Sequence, residues 1–452
     1  MDGPLDYPRR PLGRLAVAHG DIPKMTFPIM KSEMAQRVKP ASISRLMRIA
    51  LENPGVVSLA AGFVDQASLP AELVGRAVEE LLSDPIDGPR ALQYGTTIGD
   101  ARLRERLVGL MERGDCRRGG DYACAISRTV VTTGSAQLIY LVCEALLDPG
   151  DIVLVESPTY FVFLGPVESR GARAIGVPID GGGLRPDALE ETLAALERSG
   201  ELERVKMIYT IPEHANPTGI TLAPERRPAL LEIARKWSRT GRILILEDAA
   251  YRGLSFGCAE APTIYSHDAG GDWVIHARTF SKTLSPGLKL GYGVVPRDLV
   301  EPILGLKANH DFGTSNFTQL LINRILAGGG YDQHVDDLRT IYARKRDRFL
   351  AALDEFVGPL DPEIQWTIPE GGLFVWMTLP AGLDAGFDGP LFGRCVQEGV
   401  IYVPGEFAFA DEPGPRPRNH LRLTFGLPGE TDLVEGARRL GLALCGCLDP
   451  VA

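Results

Sequence analysis

Apolar runs alternate with amphipathic stretches through the middle of this 452-residue chain. Helical periodicity separates the runs, as in Ala71–Leu82, Ser135–Leu147 and Pro224–Thr240. Such alternation is typical of a mostly parallel sheet with helices on both faces, so we predict an α/β fold. Strands are predicted for the short apolar runs Thr129–Thr132, Ile152–Val155, Val205–Ile211, Ile243–Leu246 and Trp273–Ala277.

The composition and the pattern of predicted elements change at about residues 71 and 330. Residues 1–40 are rich in Pro, Gly and Arg without a period, which predicts a flexible arm that could lie over a partner subunit. Residues 71–330 are predicted to form the large domain, and residues 41–70 with 331–452 a smaller α/β domain. The later part begins with a long polar helix, followed by the apolar runs Phe374–Leu379, Val400–Pro404 and Leu421–Phe425.

Composition excludes several classes of protein. The formal net charge is -10 and no basic cluster occurs, which argues against nucleic-acid binding. The longest low-charge run is too short and too polar to span a membrane, and the N-terminus lacks an apolar signal core. Seven cysteines without a C-x-x-C spacing indicate reduced thiols in a cytoplasmic protein, and the histidines show no metal-ligand spacing.

Two predicted strands end in short polar motifs, where open α/β sheets bind their ligands. The first runs into Gly134-Ser135-Ala136-Gln137 at the start of a helix, where free backbone N–H groups suit a phosphate. A Gly turn with Ser135 as helix N-cap explains the same residues. The strand Val205–Ile211 runs into Asn216-Pro217-Thr218-Gly219, which is either a simple turn or a source of an amide donor from Asn216 to a phenolate oxygen.

Two further strand ends carry charged residues. Glu247 and Asp248 follow an apolar strand directly, with Tyr251 three residues on. A buried carboxylate there needs a cationic partner such as a protonated pyridine nitrogen, unless Asp248 merely caps a helix. Lys282 follows another strand, between Ser281 and Thr283. A desolvated lysine attacks carbonyls and suits the aldehyde of pyridoxal 5′-phosphate, whereas an isolated S-K-T is more often a surface loop.

Taken in order, these motifs resemble a known family. The chain is similar to the class I/II aminotransferases, which are pyridoxal-phosphate enzymes of fold type I, over nearly everything beyond the arm. The resemblance implies a large domain with a seven-stranded type of sheet, a smaller domain built from both ends of the chain, and a homodimer with shared active sites. It rests on G-S-A-Q, N-P-T-G, E-D-A-A-Y, T-F-S-K-T-L-S-P-G-L-K-L-G and R-L-T-F-G.

The resemblance also implies a role for each site residue. Lys282 would be the Schiff-base lysine, and Asp248 would pair with the pyridine nitrogen. Arg422 would grip the substrate α-carboxylate bidentately, with Gly62 and Asn216 also at the substrate, and its alternative is a surface arginine on an edge strand. The remaining cofactor contacts would come from Tyr251 and Asn216 at the ring oxygen, Tyr160 on the ring face, Ser135, the Ala136 backbone, Thr279, Ser281 and Lys289 at the phosphate, and Tyr94 from the partner subunit.

Three positions depart from the family pattern. Lys289 stands where an arginine usually binds phosphate, and Ala136 replaces a common polar side chain. Phe63 and Val64 follow Gly62 in place of the usual Leu-Pro. His310 and Asp311 lie in a segment that often approaches the pocket from the partner, where they could contact a polar substrate side chain or simply form a solvated loop.

We therefore expect an aminotransferase that moves an amino group between an α-amino acid and a 2-oxo acid through Lys282. The same fold also supports β- or γ-elimination, replacement and cyclisation in natural-product pathways, and the three departures leave this alternative open. A transcription regulator with an aminotransferase-like domain needs a helix-turn-helix domain, which about 40 irregular residues do not supply.

Overall fold

The computed structural model describes residues 29–38, 45–46, 48–49, 52–53, 55–257, 259–410 and 414–448. Most of the predicted arm over residues 1–40 lies outside them. The strands are β1 (Val57–Ser58), β2 (Thr129–Thr132), β3 (Ile152–Ser157), β4 (Arg173–Asp180), β5 (Gly183–Leu184), β6 (Val205–Thr210), β7 (Leu244–Asp248), β8 (Val274–Thr279), β9 (Gly291–Val294), β10 (Gln365–Trp366), β11 (Phe374–Thr378), β12 (Val400–Ile401), β13 (Val403–Pro404) and β14 (His420–Thr424).

Helices precede, separate and follow these strands. Asp100 caps one of them, since its carboxylate accepts from the Leu103 N–H at 3.0 Å. The helices in the described residues are α1 (Glu33–Arg37), α2 (Ala71–Ser83), α3 (Asp87–Ala91), α4 (Ala101–Gly114), α5 (Gly134–Leu146), α6 (Phe161–Ser169), α7 (Pro186–Ser199), α8 (Arg226–Trp237), α9 (Arg297–Asp311), α10 (Asn316–Ala327), α11 (Gly330–Phe356), α12 (Pro390–Gln397) and α13 (Glu430–Leu448).

The larger sheet has the order β2-β9-β8-β7-β6-β3-β4-β5 within the described residues. Its central strands β8, β7, β6, β3 and β4 are parallel, whereas β9 is antiparallel to both β2 and β8. Consequently β2 points the same way as β8, and the carboxyl ends of β2, β3, β6, β7 and β8 share one edge. The sheet has one strand more than the seven expected, the two-residue β5.

Both faces of this sheet are covered, because alternate strand residues enter two different cores. On β7, Leu244 and Leu246 pack into a core shared with α5, α6 and α11, while Ile245 packs into a core shared with α4, α7, α8 and α10. This explains why the strands are continuous apolar runs rather than alternating ones. The predicted α/β fold with a mostly parallel, two-sided sheet is confirmed.

A smaller antiparallel sheet, β10-β11-β14-β13, forms from the later part of the described chain. Arg422 lies on β14 opposite Trp376 of β11 and Val403 of β13, so it sits within the sheet rather than on an edge. The apolar run Val400–Pro404 contains two short strands rather than one. It divides at Tyr402, whose buried hydroxyl donates to the Ala385 carbonyl at 3.0 Å, and β12 pairs with β1 while β13 pairs with β14.

Candidate active site

A cavity of about 520 Å³ lies at the shared carboxyl edge of the large sheet and is closed on another side by β14 and residues 60–63. It gathers residues that are far apart in the chain, because each follows a different parallel strand or belongs to the smaller sheet. The predicted site residues that line it are Gly62, Ser135, Ala136, Tyr160, Asn216, Asp248, Tyr251, Thr279, Ser281, Lys282, Lys289 and Arg422.

One end of the cavity is built to receive an anion. Helix α5 begins at Gly134, whose φ of +74° turns the chain so that the first helical turn faces the cavity. Ser135 lies inside this turn, and Thr133 is the N-cap without a side-chain bond, so the alternative of a Ser135 cap is wrong. Opposite, the Thr279 and Ser281 hydroxyls lie 2.9 Å apart. Hydroxyls and free N–H groups around a helix N-terminus fit a phosphate.

Strand β9 packs closely against the start of α5 and so supports this anion site. A Cβ on Gly291 would lie 2.6 Å from the Ser135 nitrogen and 2.7 Å from the Arg278 carbonyl oxygen. Only glycine therefore lets β9 pass directly beneath the start of α5.

The Lys282 amine is held inside the cavity. Its Nζ donates to the Gly62 carbonyl oxygen at 2.7 Å, so the alternative of a surface-loop lysine is wrong. Burial, together with the positive charges of Arg422 and Lys289, lowers the pKa of Lys282 to about 8. A larger fraction of the amine is therefore unprotonated near neutral pH, which is the form that attacks an aldehyde.

Asp248 is a buried carboxylate with one oxygen unused. Its Oδ2 accepts from the Tyr209 hydroxyl at 2.9 Å, whereas Oδ1 has no hydrogen-bond partner among the described residues. Burial raises the pKa of Asp248 to about 6. Asp248 is not a helix cap but the last residue of β7. An unpaired carboxylate oxygen in a buried cavity wall needs a donor from a ligand, and a protonated pyridine nitrogen fits.

Arg422 is also buried and incompletely paired. Its Nη1 donates to Asn216 Oδ1 at 3.0 Å and its Nη2 to the Ala60 carbonyl at 2.6 Å. Its Nε has no partner, and no carboxylate within the described residues pairs with it. Burial lowers the pKa of Arg422 to about 10. A guanidinium in this state fits a ligand carboxylate.

Asn216 joins Arg422 to Tyr251. Besides accepting from the guanidinium, the Asn216 amide donates to the Tyr251 hydroxyl over a long 3.4 Å contact. Burial raises the pKa of the Tyr251 hydroxyl well above its usual range, so the phenol stays protonated. Both groups can therefore donate to an oxygen in the cavity.

Three predicted residues lie elsewhere in this chain. Tyr94 is 83% exposed and packs edge-to-face on Phe312 at 5.6 Å, outside the cavity. His310 faces Glu144 at 3.0 Å. Asp311 accepts from Lys307 at 2.9 Å, and neither His310 nor Asp311 lines the cavity of its own chain.

Two residues near the cavity carried no usable sequence signal. Phe161 lies beside Tyr160 and faces the Arg422 guanidinium at 5.5 Å, but an aromatic residue at the start of a helix is ordinary. Tyr209 lies within β6 and bonds Asp248, although a tyrosine in an apolar strand normally predicts only core packing.

Comparisons with known proteins agree with this geometry. The family described as "Aminotransferase class I and II" matches residues 54–439. An aromatic-amino-acid aminotransferase of Thermococcus litoralis is 34% identical over 422 residues, covering 93% of this chain and 95% of that protein. A multiple substrate aminotransferase from Thermococcus profundus has a TM-score of 0.83 at 33% identity, over 93% of this chain and 98% of that one.

A third comparison bears on the cofactor. The α-aminoadipate aminotransferase from Thermus thermophilus, complexed with N-(5′-phosphopyridoxyl)-L-leucine, has a TM-score of 0.78 at 32% identity, over 93% of this chain and 98% of that one. The fold and cavity define a pyridoxal-phosphate-dependent transferase. The chain belongs to the class I and II aminotransferases. The predictions of family, fold, cofactor and transamination are confirmed, and nothing in these comparisons supports elimination or replacement.

In the described part of the chain, no helix combines the length and the apolar composition needed to cross a bilayer.

Proposed function

We propose that this enzyme transaminates α-amino acids with Lys282 as its Schiff-base lysine. The observation that carries the proposal is that one cavity brings together an amine of lowered pKa and two buried charged groups, Asp248 and Arg422, each of which keeps one atom without a hydrogen-bond partner in the described residues. When bound, pyridoxal 5′-phosphate supplies an electron-accepting ring that stabilises negative charge at the substrate α-carbon.

The cavity residues fit that cofactor along its whole length. Asp248 Oδ1 would accept from the ring nitrogen, and Asn216 and Tyr251 would donate to the ring oxygen, while Tyr160 would cover one face. The phosphate would be held by Ser135, the Ala136 backbone, Thr279, Ser281 and Lys289. Lys289 keeps a positive charge near the anion site without the fork of an arginine.

Substrate positioning and proton movement fall to two further residues. Arg422 would bind the α-carboxylate through the guanidinium edge that carries the unpaired Nε, next to Gly62. Once the substrate has displaced it, the Lys282 amine would take the proton from the α-carbon and return it at the cofactor carbon. Lys282 would thus act first as the general base and then as the general acid.

The walls around these groups favour an apolar substrate side chain. Phe63, Phe161, Val162, Ile401 and Leu427 line the cavity, and its charged lining residues in the described chain are already assigned to cofactor, carboxylate or proton transfer. We propose aromatic and large aliphatic amino acids as the amino donors, in keeping with the name of the Thermococcus litoralis relative.

A single half-reaction tests this proposal. Protein loaded with pyridoxal phosphate and mixed with phenylalanine or leucine, without an acceptor, should convert its bound cofactor to the pyridoxamine form and release one equivalent of 2-oxo acid. Aspartate and lysine, as charged controls, should react at least about tenfold more slowly, since burying an unpaired charge is unfavourable. With serine, whose β-hydroxyl can leave, release of ammonia and pyruvate without the pyridoxamine form would instead show elimination.

We also propose a homodimer in which Tyr94 reaches the phosphate site of the partner. Tyr94 and Phe312, which pack on each other, are 83% and 57% exposed, and Ile86 and Leu92 of the segment that precedes Tyr94 are exposed as well, so a second copy would cover apolar side chains here. Light scattering should give twice the chain mass, and a monomeric mass in an active preparation would contradict it. The domain division at about residues 71 and 330 and the cytoplasmic location stay predictions.

A further inference from the structure

Tyr209 occupies a fixed place beneath the cavity. It lies on β6, its side chain is fully buried, and its ring stacks on Phe163 with 3.7 Å between centroids and 13° between planes. Two stacked rings in a packed core leave the phenol little freedom to rotate. Its hydroxyl therefore has one position, 2.9 Å from Asp248 Oδ2.

The direction of this hydrogen bond follows from the chemistry of the two groups. An ionised carboxylate can only accept, and burial raises the pKa of the Tyr209 phenol well above its usual range, so the proton stays on the hydroxyl. A donor to the charged form of an acid favours that form, and the Tyr209 hydroxyl accordingly lowers the pKa of Asp248 against the effect of burial.

The bond also decides which oxygen faces the cavity. With Oδ2 held by Tyr209, the carboxylate cannot rotate without losing its side-chain partner, so Oδ1 is the oxygen left for a ligand. The neighbouring buried carboxylate, Glu156, has its own donor in the Thr210 hydroxyl at 2.6 Å, and therefore does not compete for Tyr209.

We propose that Tyr209 is a positioning residue that keeps Asp248 ionised and directs its Oδ1 at the ring nitrogen of the cofactor. This inference rests on the proposed function, since it requires the ring nitrogen to meet Asp248. The proton shared between ring and carboxylate is then held on the ring side, where it makes the ring a better electron acceptor.

The test compares two ligands that differ at one atom. Cofactor-free wild type and Tyr209→Phe are titrated with pyridoxal phosphate and with its 1-deaza analogue, which has C–H in place of the ring nitrogen. Both ligands carry the aldehyde and the phosphate, so differences at Lys282 and at the anion site cancel. We expect Tyr209→Phe to raise the dissociation constant of pyridoxal phosphate about tenfold and that of the analogue less than about twofold.

Two controls separate positioning from a general loss of structure. Tyr402→Phe removes a hydroxyl from another fully buried tyrosine, one that donates to the Ala385 carbonyl, and it should leave both dissociation constants unchanged. In an Asp248→Ala background, Tyr209→Phe should have no further effect on pyridoxal phosphate, because the residue it acts through is gone.

Equal weakening of both ligands by Tyr209→Phe, or no weakening of either, would overturn the inference while the proposed function stands. A persisting effect in the Asp248→Ala background would overturn it in the same way. A wild type that binds no pyridoxal phosphate would refute the proposed function itself, and this inference with it.

Discussion

The Lys282→Ala protein should transaminate at least about 10⁴-fold more slowly than the wild type, the upper range of what a positioned general base supplies. The variant loses both the amine that attacks the aldehyde and the base that moves the α-proton. It should still bind the cofactor, because Ser135, Asp248 and Tyr251 lie on other segments and do not depend on the Lys282 side chain. The bound cofactor should, however, lack the visible imine absorbance of the wild type.

Borohydride reduction makes this prediction specific to one residue. In the wild type, reduction followed by peptide mass analysis should place the cofactor mass on Lys282, and in Lys282→Ala on no lysine. Lys206→Ala is the matched control, since Lys206 lies away from the cavity and pairs only loosely with Asp151 at 3.6 Å, and it should behave as the wild type. Labelling at another lysine, or retained turnover in Lys282→Ala, would refute the assignment.

Arg422→Met should lower kcat/KM about 10²- to 10³-fold, because the substrate carboxylate loses its buried charged partner. Without ligand, the same change should leave the free energy of unfolding within about 1 kcal/mol of the wild type, or raise it. The reason is that Arg422 is 2% exposed and, in the described residues, has no carboxylate to offset the cost of burying its charge. Steady-state kinetics and urea denaturation of the cofactor-free protein measure the two effects.

Arg252 provides the contrasting control. It is also 2% exposed, but it pairs with Asp115 at 2.8 Å and with Glu213 at 2.9 Å. Arg252→Met should therefore cost about 3–5 kcal/mol of stability, since it leaves two buried carboxylates short of a partner. If Arg422→Met destabilised the protein as strongly as Arg252→Met, the interpretation of Arg422 as a group reserved for substrate would be wrong.

Much of this site could be predicted from the sequence because it depends on local rules. A β-branched run that ends just before Gly134 marks β2, and the predicted bounds Thr129–Thr132 are those that the structure shows. Parallel strands bring their carboxyl ends to one edge, so polar residues placed after successive strands must converge. The cluster of Ser135, Asn216, Asp248 and Lys282 follows from these two facts and from the family resemblance.

What could not be predicted depends on contacts between distant parts of the chain. Nothing near Lys282 indicates that its amine bonds the Gly62 carbonyl, and nothing near Tyr209 indicates Asp248. The sequence also does not indicate that β9 lies antiparallel between β2 and β8. A short apolar strand has the same residue pattern whether its neighbours run parallel or antiparallel to it.

The pairing of β1 with β12 also affects how the enzyme is made. Val57 can find Val400 only after the ribosome has synthesised the chain past residue 400. The large sheet can thus assemble on the nascent chain before Gly62 and Arg422 reach their places. Each new molecule can therefore form the part of its cofactor site that the large sheet supplies before it gains the means to hold an amino acid.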